Sequence, residues 1–258
     1  MKWPFFGRRR QSTRAWHEAP VGNRAVQGLW IGQRLTSMEQ RCISSFLRHG
    51  HEFHLYAYGP VEGLPAGATL RDAAEILPET GVFSYRSGFG QGSFSAFSNF
   101  FRYKLLLERG GWWVDTDVVC LRPFDFQDES VLGTELLEPG SERLVVSSSV
   151  IKQPAGSELM RWAWDECQRV SKEELLWGQV GPKLMQRGVD RLGLHVREPT
   201  VFSPIPHFEW RRFVDPTPPQ AFSAETYAVH LFHQMWRHEG VDPDGPVPET
   251  CLYARWGA

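Results

Sequence analysis

The sequence predicts an α/β fold with a mostly parallel central sheet flanked by helices. Three observations predict it. The chain opens with a strand–helix–strand unit over residues 27–58, a second helix-to-strand passage runs over residues 94–121, and 41% of the 258 residues are hydrophobic, enough for a sizeable core. In such sheets, ligands collect beyond the carboxyl ends of the strands, where Gly32 and Tyr58 fall.

The elements follow in order. Residues 1–25 lack periodicity and read as a flexible basic and aromatic tail, leaving residues 26–258 as one domain. Gln27-Gly28-Leu29-Trp30-Ile31-Gly32 reads as a short buried strand ending in glycine. Thr36 and Glu39 have capping-box spacing and open a helix whose Cys42, Ile43, Phe46 and Leu47 recur at helical intervals until Gly50. His51–Tyr58 alternates as a half-buried strand does, closed by Gly59-Pro60. A short strand and turn sit near Thr69–Ala73.

The glycine-rich Ser87–Gly92 lacks the Gly-Lys-Ser/Thr of a phosphate loop and reads instead as a mobile loop over the site. A helix then spans about Phe94–Arg109, with Phe97, Phe101 and Leu105 on one stripe and Ser95, Asn99, Arg102 and Leu106 on another face. Gly110-Gly111 ends it. Trp112-Trp113-Val114 starts a strand that runs through Asp115-Thr116-Asp117 and stays extended to Leu121. Farther on, a long strand over Arg143–Ile151 precedes helices near Ser157–Val170 and Pro182–Arg187, and a late strand covers Tyr227–Phe232.

Composition narrows the function. A formal net charge of −2 gives no global pull toward nucleic acid or anionic membranes, so a bound anion needs a local site. Cys42, Cys120, Cys167 and Cys251 show no metal-type spacing and are expected as reduced thiols. The 11 Trp suit sugar stacking, although most are expected in the core. No run is apolar for the ~18 residues that a membrane span needs. The N-terminal Met1–Arg10, aromatic then basic, is too short for a signal peptide and suits weak peripheral contact with an anionic surface. The expected setting is cytoplasmic, at the inner face of the membrane if that tail engages it.

The chemistry concentrates at Asp115-Thr116-Asp117. In an extended segment, alternate side chains share a face, so Asp115 and Asp117 would point the same way. Two adjacent carboxylates repel, raising one pKa unless a cation lies between them. A divalent ion such as Mn²⁺ or Mg²⁺ removes the conflict and leaves positions open for phosphate oxygens.

The stretch from Phe97 through Arg102 and Gly110-Gly111-Trp112-Trp113-Val114 to Asp117 resembles the DxD sugar-binding region of glycosyltransferase family 32. Val180–Met185 and Ala228–Phe232 through Trp236 fit the same family, as does Leu29-Trp30-Ile31-Gly32. The resemblance implies a GT-A-type fold and sugar transfer, with retention of anomeric configuration, from a nucleotide sugar to a carbohydrate or glycolipid acceptor. A UDP-sugar donor and a role in polysaccharide or glycolipid assembly are the expected setting.

It also implies residue roles. Asp115 would contact donor ribose and metal, Asp117 would bind the metal, and Arg102 would lie beside the donor from the helix face that carries Asn99. His230 would complete the metal or diphosphate contacts, with His233 as a competing candidate, and Trp236 would close over the diphosphate. Trp30, Gln179 and Gly181 complete the expected substrate contacts, although Gly181-Pro182 also reads as a helix start and Gln179 as a loop residue. Where the family usually has Ser-Asp, this chain has Ser98-Asn99, which keeps the hydrogen-bonding shape but not the charge.

Two other readings share the motif. A haloacid-dehalogenase-type phosphatase uses the first Asp as nucleophile, but needs a later Lys and an acidic pair that Asp242-Pro243-Asp244-Gly245 matches poorly. A non-catalytic protein that binds nucleotide sugars or carbohydrates is the third.

Overall fold

The computed structural model describes residues 24–217 and 221–256. The aromatic and basic N-terminal stretch, with its expected membrane contact, lies outside the described residues.

The chain runs β1 (Ala25–Leu29), α1 (Ser37–Arg48), β2 (Glu52–Ala57), β3 (Thr69–Asp72), α2 (Ser95–Arg109), β4 (Gly111–Val114), β5 (Val118–Cys120), β6 (Val131–Leu136) and β7 (Leu144–Gln153). It continues through α3 (Glu158–Cys167), α4 (Pro182–Leu192), α5 (Pro199–Phe202), β8 (Ala228–His230), α6 (His233–His238) and α7 (Leu252–Arg255). Six strands form one sheet in the order β3-β2-β1-β4-β7-β6. The β3–β2, β2–β1 and β1–β4 pairs are parallel, and β7 runs antiparallel to both β4 and β6. The expected α/β architecture with a mostly parallel sheet is present.

Period-two alternation sorts the side chains onto two covered faces. Val26, Phe53, Leu55, Trp112 and Val114 pack with Ile43 and Phe46 of α1. Leu29, Tyr56 and Trp113 pack on the opposite side with Phe97, Phe101 and Leu105 of α2. Helices on both faces explain why β2 departs from the half-buried expectation: every residue from Phe53 to Ala57 is buried.

The capping box forms as expected, with Thr36 as cap and Glu39 as its partner. Gly110 caps α2 at φ +64°, and a Cβ there would lie 2.4 Å from the Ala155 amide nitrogen, so this turn needs glycine. Strand pairing starts at Ala25, opposite Glu52, inside the stretch expected as tail. β6 lacks a strand signature because its ladder shifts register between Leu132 and Thr134, and a Cβ on Gly133 would meet the Phe202 ring at 2.8 Å.

The largest difference falls at residues 115–121. The chain does not continue as one strand. It turns at Thr116-Asp117 and enters β5, which leaves the main sheet and pairs antiparallel with β8. This small sheet backs a third apolar cluster formed by Val119, Val229, Trp210, Trp236 and Tyr253.

Candidate active site

The site is built where β4 leaves the sheet. The Asp115 amide donates to the Ser149 carbonyl at 2.8 Å, and the Val118 amide donates back to the Asp115 carbonyl at 3.1 Å. This turn makes Asp115 and Asp117 converge, a correction to the strand alternation expected from sequence. The β5–β8 register sets Val118 opposite His230, and the Leu231 amide donates to the Asp117 carbonyl at 2.9 Å. His230 Nε2 lies 3.3 Å from Asp117 Oδ2. Residues more than a hundred positions before β8 are thus joined to it by ladder hydrogen bonds.

Asp115, Asp117 and His230 each offer a ligand atom, and these atoms lie within 4.8 Å of one another. Two carboxylates and an imidazole are a donor set suited to Mn²⁺ or Mg²⁺. His230 Nδ1 is buried without a hydrogen-bond partner among the described residues. The group therefore fits a divalent cation.

The two carboxylates and the imidazole shift one another's ionisation. Burial raises the Asp115 carboxyl above its ordinary range, opposed by the Arg102 charge and reinforced by Asp117. Burial would raise Asp117 too, but the charge and hydrogen bond of His230, with the His233 amide, hold it well below the usual carboxylate range. Burial lowers His230, yet Asp117 outweighs it and lifts the imidazole to about 9.

Arg102 is buried on α2 and holds Asp115 in place. Its Nη2 lies 3.0 Å from Asp115 Oδ1, Nε donates to the Ser98 carbonyl at 3.2 Å, and Nη1 donates to the Ser148 carbonyl. Trp113 Nε1 adds a hydrogen bond to Asp115 Oδ1 at 2.8 Å. A cavity of about 540 Å³ opens over these groups, lined by Trp30, Ser98, Arg102, Asp115, Asp117 and His233 among others. Gly92 and Ser93 of the glycine-rich loop also line it, and Gln234 Nε2 donates to the Phe89 carbonyl at 3.3 Å.

The remaining candidates divide. Trp30 lines the cavity, and its Nε1 is buried with no hydrogen-bond partner among the described residues. His233 lines it as well, but its Nδ1 lies 3.0 Å from Glu39 Oε1, so His230 rather than His233 joins the metal-type group. Asn99 does not line the cavity. It donates to the Ser95 carbonyl at 2.9 Å and packs on Gly181, whose added Cβ would sit 3.1 Å from the amide nitrogen.

Gly181 is the residue before α4, with Pro182 at its first turn, and Gln179 accepts from the Leu176 amide at 3.0 Å, so both serve local chain geometry. Trp236 is fully buried against Trp210 and Tyr253, with Nε1 donating to the Leu231 carbonyl at 3.0 Å, and does not close over the cavity.

Sequence reasoning missed Thr36, Ser98, Gln234 and Arg237, which line the cavity. A signal existed for the last two. With residues 233–238 helical, positions 233, 234 and 237 share a face, and 236 points elsewhere. Glu135 on β6 was also missed: its Oε2 is buried without a hydrogen-bond partner among the described residues, and burial raises its pKa against the nearby charge of His230.

Two family models and several known proteins are similar to this chain. Residues 88–136 match the glycosyltransferase sugar-binding region containing the DXD motif, and residues 155–256 match the alpha 1,4-glycosyltransferase conserved region. A human alpha-1,4-N-acetylglucosaminyltransferase is 25% identical over 186 residues, covering 64% of this chain and 51% of the relative. The chain thus spans about half the length of that curated relative. Among solved structures, the PaToxG glycosyltransferase aligns with a TM-score of 0.48 at 10% identity, covering 66% of this chain and 69% of the other. The apo-form glycosyltransferase GlyE of Streptococcus pneumoniae TIGR4 aligns with a TM-score of 0.40 at 14% identity, covering 69% and 45%. The two matched regions are consistent with glycosyltransferase family 32.

Proposed function

We propose that this chain, which carries both sequence regions of the DXD glycosyltransferases, moves a sugar with retention from a nucleotide sugar, most readily a UDP-sugar, to a hydroxyl of a carbohydrate or glycolipid. The observation that carries this reading is the convergence of Asp115, Asp117 and His230, the two aspartates lining the cavity and His230 lying behind them.

In this reading, Asp115, Asp117 and His230 hold Mn²⁺ or Mg²⁺, which supplies positive charge to the diphosphate as it departs. The residues present divide the other tasks. Arg102 keeps Asp115 oriented through its fork of donors, and Trp30 lends part of its side chain to the cavity wall. Among the described residues, the carboxylates lining the cavity are Asp115 and Asp117, both assigned to the cation, which leaves none of them to attack the sugar from behind. This supports front-face attack by the acceptor oxygen, with the leaving diphosphate taking the acceptor proton. Among the described residues the lining includes no lysine, which weighs against the phosphatase reading.

We take residues 26–258 as one catalytic unit with a GT-A-type fold, acting in the cytoplasm, and at the inner face of the membrane where the N-terminal stretch engages it. The aromatic and basic residues of Met1–Arg10 support that setting. A thermal-shift screen of nucleotide sugars with and without Mn²⁺, followed by turnover of the stabilising donor, tests the proposal. Asp117→Ala is expected to lower turnover by about 10²-fold or more; normal turnover in that variant would refute the assignment.

A further inference from the structure

Glu39 is a fully buried carboxylate whose two oxygens serve different parts of the molecule. Its Oε2 accepts from the Thr36 amide at 2.8 Å and the Thr36 hydroxyl at 2.5 Å, closing the capping box of α1. A capping box explains that oxygen alone. Oε1 points the other way, 3.0 Å from His233 Nδ1 at the start of α6. The backbone N–H of that same His233 donates to Asp117 Oδ2 at 2.9 Å. A continuous path therefore runs from the cap of α1 through His233 to the carboxylate of the metal-type group.

The intervening backbone makes this path consequential. Phe232, between His230 and His233, has φ +55°, the one positive value among described residues other than glycine. A bulky residue holds that conformation only where its surroundings over-determine it. One side is fixed by the Leu231 amide on the Asp117 carbonyl. The other side is held by the two contacts of His233: its amide on Asp117 and its ring on Glu39. Without the ring contact, His233 would keep only its amide contact to Asp117, whose carboxylate would then rely on that amide and His230.

We propose that Glu39 is a positioning residue for divalent-cation binding, acting through His233 on Asp117. The proposal rests on the reading that Asp115, Asp117 and His230 hold such an ion. Partners behind a metal ligand typically change affinity by about 10–100-fold when removed.

Titration calorimetry of the full chain with Mn²⁺ alone tests it. Glu39→Gln keeps the size and an acceptor for Thr36 but removes the charge facing His233, and is expected to weaken Mn²⁺ binding by about tenfold or more. Ile43→Val, a buried change in the same helix, serves as the stability control: it is expected to lower Tm while leaving the Mn²⁺ Kd within about twofold. His233→Ala provides a second variant should Glu39→Gln not fold, with the same expected loss. Unchanged Mn²⁺ affinity in either Glu39→Gln or His233→Ala overturns the proposal, as does an equal loss in Ile43→Val. If the unaltered chain binds no Mn²⁺, the metal reading itself fails, a result distinct from all of these.

Discussion

At the scale of single residues, the Arg102–Asp115 pair is the most sensitive point of the molecule. Arg102 is buried with its guanidinium shared among Asp115, Ser98 and the Ser148 carbonyl. Removing one partner of such a pair leaves the other unpaired, so Arg102→Ala is expected to cost about 3–5 kcal/mol in urea unfolding. Arg102→Lys keeps the charge but not the planar fork, and is expected to fold while losing about 10²-fold in donor turnover. Both residues were legible singly, Arg102 from a helix face readable by local spacing and Asp115 from the short DxD motif, but their pairing, which turns Arg102 toward Asp115, was not. Trp236 and Asn99 were not. Their positions depend on how α6 and α4 dock, through Tyr253 and Gly181, and those contacts join segments far apart in the chain.

At the scale of elements, the ends carry the information. Thr36 caps α1, and Thr36→Ala is expected to lower stability by about 1 kcal/mol in thermal or urea unfolding. Gly110→Ala is expected to be worse, since φ +64° and the 2.4 Å approach to Ala155 penalise it together, by at least about 1–3 kcal/mol in the same measurement. Both elements were readable in the sequence because caps and glycine stops are local chemistry. The turn at Thr116-Asp117 was not, because Val118-Val119-Cys120 has the composition of a continuing strand. Its departure from the sheet is set by pairing with β8, whose partners are more than a hundred residues away. Tertiary pairing overrode local preference there, at the segment that builds the site.

At the scale of the whole molecule, a sheet buried on both faces constrains charge. His54 lies inside it on β2, where burial, then the charges of Arg71 and Arg109, press its pKa down to about 4. The folded chain therefore resists a proton that the unfolded chain accepts below about 6.5. The stability tied to a neutral His54 is complete above that value and declines as pH falls toward 4. His54→Gln is expected to flatten the fall of Tm between pH 6.5 and 4 relative to the unaltered protein; parallel Tm–pH curves would count against it. The α/β class was legible from the alternation of elements, whereas the antiparallel placement of β7 required long-range pairing that no local pattern encodes. The central claim concerns charge at the cavity: a divalent ion on Asp115, Asp117 and His230 that receives a nucleoside diphosphate. Calorimetry of UDP binding tests it most directly, using the unaltered chain in Mn²⁺, the same chain in EDTA, and Asp117→Ala in Mn²⁺. The account predicts measurable affinity in the first case and a loss of about tenfold or more in the other two. Equal affinity under all three conditions would contradict it.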